Sequence, residues 1–336
     1  MKKYTHAWLA FMAIKRLEDK KSQLSETDRK YATSLIKWFM DHKDGVISGA
    51  WYPDDLIKDM ADKHVLKFVP ADKAPQGAVI YPPEELKALP PEYLMGKHSR
   101  NSPVRQQDFA VADRNDNLPD RCESLAESAI DHLKILRREA KGSPVSPVEN
   151  QIALWFFMLS HYVADAHVPV HCDARRFSSG GNIHGKLEKE WDDEVRKYYC
   201  LDMLHERFFY DRKGYPALEE KEKTVKAYPS SFLKAVSDEL DGRPFDPSFG
   251  KNNKNVWDFM NAVCHHSYLL CYSFFPPGYG PDNVTAGNWK SLASPPELTL
   301  EKLSTAVLAD AVDSISRVWF RIWRRYEIWR GKAKTV

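Results

Sequence analysis

Residues 152–168 are apolar on nearly every side, and a helix without a polar face is stable in water only when other elements enclose it. Ser146, Pro147, Val148 and Glu149 just ahead of it read as a capping box with proline in the first turn, and Pro169 ends the run. The rest of the chain must therefore supply a shell around one central helix. At the start of the chain, His6, Leu9, Ala10, Ala13, Ile14 and Leu17 share one face of a 3.6-residue period behind Thr5, which reads as the cap, so His6 points inward. Helical patterns follow at 26–42, 121–138, 184–199, 217–240 and 256–274. In the last helix Leu308, Val312, Ile315, Trp319, Ile322, Tyr326 and Trp329 form one apolar seam. Arg317, Arg321, Arg324 and Arg325 lie off it, and the expectation is a helix docked on the core with these arginines in water.

Between 65 and 120 the periodicity stops. Eight prolines and many Asp, Asn and Ser residues mark a long irregular excursion, of a kind that often borders sites. There is no internal repeat, no alternating strand pattern of any length and no glycine-rich phosphate loop. The expected class is all-α, a single core spanning 1–336 with a loop-rich insertion at about 65–120.

Composition narrows the function only a little. No apolar run approaches the ~18 residues of a spanning helix, which excludes an integral membrane segment. Forty-nine basic residues against 47 acidic ones leave a net charge of +2, so a polyanion would need a local site. Five cysteines, odd in number and without C-x-x-C spacing, read as thiols. Met1-Lys2-Lys3 and the apolar residues after them imitate a signal peptide, but the stretch is short, contains His6 and has no small-residue cleavage site. The compartment is open: cytoplasmic if Met1 is the native start, secreted or periplasmic if a leader was removed.

The chemistry concentrates in 161–188. His161 and Asp165 stand at i, i+4 on the buried helix, His171 follows the proline break, and His184 and Glu188 form a second i, i+4 pair. A lone buried histidine is ordinarily a hydrogen-bonded core residue. Several histidines and acids in 28 positions, two pairs of them at helical spacing, point instead to a metal, since burying imidazole and carboxylate together is costly without a neutralising cation. Imidazole and carboxylate without thiolate suit zinc ahead of manganese or iron. His132, His265 and His266 lack a partner at ligand spacing and read as ordinary.

These motifs resemble the zinc-dependent phospholipase C and S1/P1 nuclease superfamily. His161, Asp165 and His171 match its His-x3-Asp-x5-His run, His184 with Glu188 its following pair, and His6 its first-helix histidine. Gly49-Ala50-Trp51-Tyr52-Pro53-Asp54 resembles its Gly-Ala-x-x-Pro-Asp element, with His64, or His98 in the same loop, as the histidine after it. The resemblance implies a mainly α-helical phospholipase C/P1 nuclease-like fold holding three Zn2+ ions. One would take Asp54, His64, His161 and Asp165. A second would take His6, the bridging Asp165 and the Met1 amine, and a third His171, His184 and Glu188.

The implied activity is zinc-dependent hydrolysis of a phosphodiester, either a phospholipid or a single-stranded nucleic acid, with Asp54 and Asp165 as catalytic residues. Asp165-Ala-His167-Val-Pro169 and Gly180-Gly181-Asn182 look like the nuclease branch, with Asn182 beside substrate, whereas Glu188 looks like the phospholipase branch. No protein partner can be inferred. The rival reading is a catalytically inactive, metal-stabilised helical module that binds lipid or a protein partner through its aromatic last helix.

Overall fold

Helix α1 (Lys3–Lys20) starts three residues earlier than its pattern suggests. The computed structural model describes residues 1–58, 64–115, 117–138, 146–177, 183–218 and 232–333. Thr5 is not a cap: it lies buried inside the helix, and Lys2 precedes the helix without any side-chain cap. The free amides of the first turn are met from across the fold, where Asp192 Oδ1 accepts from the Tyr4 and Thr5 N–H groups at 2.9 and 3.1 Å. Helix α2 (Glu26–His42) has the expected bounds, because its signal is local: Ser25 accepts the Asp28 amide at 3.1 Å. Helix α3 (Val46–Tyr52) runs into a wide turn at Pro53–Ile57.

The excursion after it contains three short strands that the sequence pattern did not show. These are β1 (Phe68–Pro70), β2 (Ile80–Tyr81) and β3 (Phe109–Val111), in antiparallel order β1-β3-β2, with helix α4 (Leu94–His98) between the last two. Strands of two or three residues are too short to display a period of two. The ends of the excursion are stitched together, Leu118 N–H to the Val65 carbonyl at 3.1 Å and Ala112 N–H to the Lys67 carbonyl at 2.8 Å. Its Leu89, Tyr93, Met95 and Phe109 belong to the main hydrophobic cluster, so it covers the core rather than hanging off it.

Helices α5 (Leu118–Arg138) and α6 (Glu149–Asp165) follow. The expected capping box does not form; Val148 precedes α6 without a side-chain bond. The central helix also stops at Asp165, and Pro169–His171 makes a separate 3-10 turn. Every residue from Phe156 to Asp165 is buried, with α3, α5 and α10 (Leu300–Ala333) packed around α6. Between them lie α7 (Ile183–Tyr198), the hairpin of β4 (Leu201–Asp202) and β5 (Arg207–Phe208), α8 (Phe232–Gly242) and α9 (Val256–Phe274). The helix expected from 217 is displaced: Ala217 N–H bonds the Phe209 carbonyl and Leu218 bridges to Tyr199, while 219–231 lie outside the described residues.

The seam of α10 is buried through Tyr326, with Trp329 half-buried. Arg317, expected in water, is instead fully buried, with the rings of Tyr93 and Phe245 and the Ser248 carbonyl against its guanidinium. Its Nε donates to Asp313 at 2.9 Å and its Nη2 pairs with Glu92, while Arg16 Nε reaches the other oxygen of Asp313 at 2.9 Å. Arg324 and Arg325 are exposed and paired with Asp28 and Glu127. Replacing Asp313 with alanine leaves two buried guanidinium groups short of their shared carboxylate, and urea unfolding should show a loss of about 3–5 kcal/mol. A loss below about 1 kcal/mol would mean that water reaches this triad.

Candidate metal centre

The C-terminal turn of α6 sets the site. His161 and Asp165 leave the same face one turn apart, and both are buried. His161 Nδ1–H donates to the Ala50 carbonyl at 2.7 Å, which orients the ring and turns the Nε2 lone pair towards the cluster. That bond requires α3 to lie hard against α6. Gly49 permits it, since a Cβ there would stand 2.8 Å from the Phe157 ring.

Four other parts of the chain converge on this point. His6 of α1 stacks on His161 with ring centroids 3.8 Å apart, and its Nε2 is 3.4 Å from Asp165 Oδ1. His64 Nε2 lies 2.9 Å from His161 Nε2 and contacts Asp165 Oδ2. Asp54, on the turn after α3, places Oδ1 3.6 Å from His64 Nε2 and 3.7 Å from His161 Nε2. The Met1 amine lies 2.6 Å from Asp165 Oδ1 and 2.8 Å from Glu188 Oε1, which joins this group to a second one. In the second group His171 Nε2 is 2.6 Å from His184 Nε2, and Glu188 Oε1 is 3.1 and 2.7 Å from the two. His98 is elsewhere, at the end of α4 beside Lys97 and Lys302, so His64 is the histidine of this loop that meets the cluster. Asn182, with Gly180 and Gly181, lies outside the described residues.

The donor set fits a cation. Among the described residues neither buried ring nitrogen of His6 has a hydrogen-bond partner, a desolvation cost of about 1–3 kcal/mol for each, and a metal would relieve it at the nitrogen it binds. His171, His184 and Glu188 bring their ligand atoms within hydrogen-bond distance of one another, and His6, Asp54 and His161, as well as His64, His161 and Asp165, form two further trios whose ligand atoms all lie within 4.8 Å. Burial pushes His171 down to about 4 and His6 well below its ordinary range, which keeps both imidazoles neutral, the form that binds metal. Burial alone would raise the Asp165 and Glu188 carboxyls; the Met1 ammonium and the surrounding histidines outweigh it and hold both well below the usual carboxylate range. Burial likewise opposes the charge on the Met1 amine, yet Asp165, Glu188 and Asp54 raise it to about 10. An ammonium thus occupies the place between two carboxylates where a metal cation would serve the same charges.

Histidines outside the cluster have ordinary roles. His167 Nδ1 bonds the Val163 carbonyl at 2.8 Å and its Nε2 lies 3.0 Å from Ser314 Oγ, and His132 Nδ1 bonds the Ser128 carbonyl at 2.7 Å. Sequence reasoning missed Asp192, which continues the i, i+4 series His184, Glu188, Asp192 on one face of α7 and fixes the start of α1 beside the site. Its spacing was visible; its partners, 187 and 188 positions away, were not.

No family model matches the chain, and no curated protein sequence matches it. Among solved structures, the alpha-toxin of Clostridium perfringens from avian strain SWCP is similar, with a TM-score of 0.46 and 15% identity over 95% of this chain and 63% of that one. The chain therefore spans less than two thirds of the length of that protein.

Proposed function

We propose that the chain is a metal-dependent hydrolase of phosphodiesters that holds zinc at this centre. The observation that carries the reading is the joining of two imidazole–carboxylate groups through Asp165, the Met1 amine and Glu188 in one buried constellation. Asp54, His64, His161 and Asp165 would hold one ion, His6, Asp165 and the amine a second, and His171, His184 and Glu188 a third. Bound there, the ions would supply Lewis acidity and a water acidic enough to be hydroxide at neutral pH.

The chain's own residues divide the remaining work by exposure. Asp165 and Glu188 are buried and serve as fixed charges, whereas Asp54 keeps 13% and His184 27% of the side chain open to solvent, so substrate reaches the centre along the edge these two define. Asp54 is the acid placed to orient an incoming water or take its proton. The substrate is a phospholipid or a single-stranded nucleic acid.

Metal analysis together with hydrolysis of a generic phosphodiester, a short-chain phosphatidylcholine and single-stranded DNA tests this. The expected result is bound zinc and turnover of at least one substrate, abolished by chelation and restored by zinc. Metal without turnover on any of the three would favour the inactive helical module.

A further inference from the structure

Where the insertion meets α9, a cavity of about 170 Å3 is bordered by Lys87, Lys97, Arg100, Arg105 and His266, and among the described residues no acidic one lines it. None of these residues belongs to the metal centre. Lys87 is engaged by Asp258. Arg105 is different: among the described residues no carboxylate pairs with it, and its Nη1 is buried without a hydrogen-bond partner. Burial and the like charge of Arg100 both push its pKa down. His266 has no spare acceptor to offer, since its Nδ1 lies 2.7 Å from Ser99 Oγ and its Nε2 bonds the Lys87 carbonyl at 3.1 Å.

A half-buried guanidinium with no carboxylate partner beside a second cation is unfavourable on its own, and an anion in the cavity offsets that like-charge repulsion. We propose that this cavity is an anion site that takes a phosphate group, gripped by Arg105 from within and by Arg100 and Lys97 at the rim. A cavity of about 170 Å3 is roomy enough for a tetrahedral oxyanion. Donors arriving from several directions suit such an ion, whereas a planar carboxylate suits a single guanidinium fork. The Leu89 and Tyr93 side of the wall is apolar, which raises the strength of each charged contact. The group could be free phosphate or the phosphate of a larger headgroup whose body stays in solvent.

Calorimetric titration of the metal-loaded protein with inorganic phosphate, glycerol 3-phosphate and acetate tests the proposal. Saturable phosphate binding should weaken roughly tenfold or more in Arg105→Gln, while zinc content and phosphodiester turnover stay as in the parent. Arg100→Gln, at an exposed position, should weaken it less and serves if Arg105→Gln fails to fold. Tighter binding of glycerol 3-phosphate than of phosphate would support the site and name a headgroup as its source; the reverse order would support it with free phosphate. Equal phosphate affinity in the parent and both variants, no binding at all, or acetate binding as tightly as phosphate would overturn it.

Discussion

Asp165→Asn should abolish nearly all phosphodiester hydrolysis and strip metal from the protein. The substitution keeps the shape of the side chain and removes the charge around which the cluster is organised: Oδ1 faces the Met1 amine at 2.6 Å and His6 at 3.4 Å, and Oδ2 faces His64 and, at 3.3 Å, His161. Loss of a residue that merely orients a metal ligand typically costs 10- to 100-fold, so losing a carboxylate placed between two ions should cost more than ~100-fold in rate. Zinc analysis and initial rates measured on the same preparation check this, with circular dichroism to show that the helices remain. His132→Ala, at a histidine whose Nδ1 bonds its own helix and whose ring meets Trp155 away from the cluster, should leave turnover nearly unaltered. A fully active Asp165→Asn protein with its full zinc content would remove Asp165 from the centre.

Much of this arrangement is legible in the chain because it is local. The pairs His161/Asp165 and His184/Glu188 are written at helical spacing, and the bounds of α2 and α9 follow from the caps Ser25 and Asn255 and from periodicity within one element. What escaped the sequence depends on partners far along the chain. Thr5 looked like a cap because Asp192, which meets the first amides of α1, is 187 positions away. Arg317 looked like a surface residue because its i−4 partner Asp313 is in plain view while Glu92, 225 positions away on the insertion, is not. The insertion itself looked irregular because its strands are two or three residues long and its burial comes from packing onto other elements. The same holds inside the site: Gly49 and Ala50 matter through one close approach to Phe157 and one hydrogen bond to His161, neither of which leaves a mark on local periodicity.

Extending the chain ahead of Met1 by even a short Gly-Ser segment should lower both metal content and rate, the rate by more than ~100-fold if one ion is lost. The Met1 nitrogen is buried between Asp165 and Glu188 at 2.6 and 2.8 Å, and the Met1 side chain lies in the core. An amide nitrogen carries neither the positive charge that now faces the two carboxylates nor the lone pair that a free amine can offer a metal. A free amine with an ordinary pKa of about 7.7–8.0 yields its proton readily to a divalent cation, even though Asp165 and Glu188 retain that proton up to about 10 when no metal competes. Misfolding is separated from loss of a ligand by placing a protease site in the extension: cleavage that regenerates Met1 should restore zinc and turnover together if the amine is a ligand. An extended protein with full zinc and full rate would show that the first nitrogen is a bystander, and that Asp165 and Glu188 share their charge with metal ions held by side chains alone.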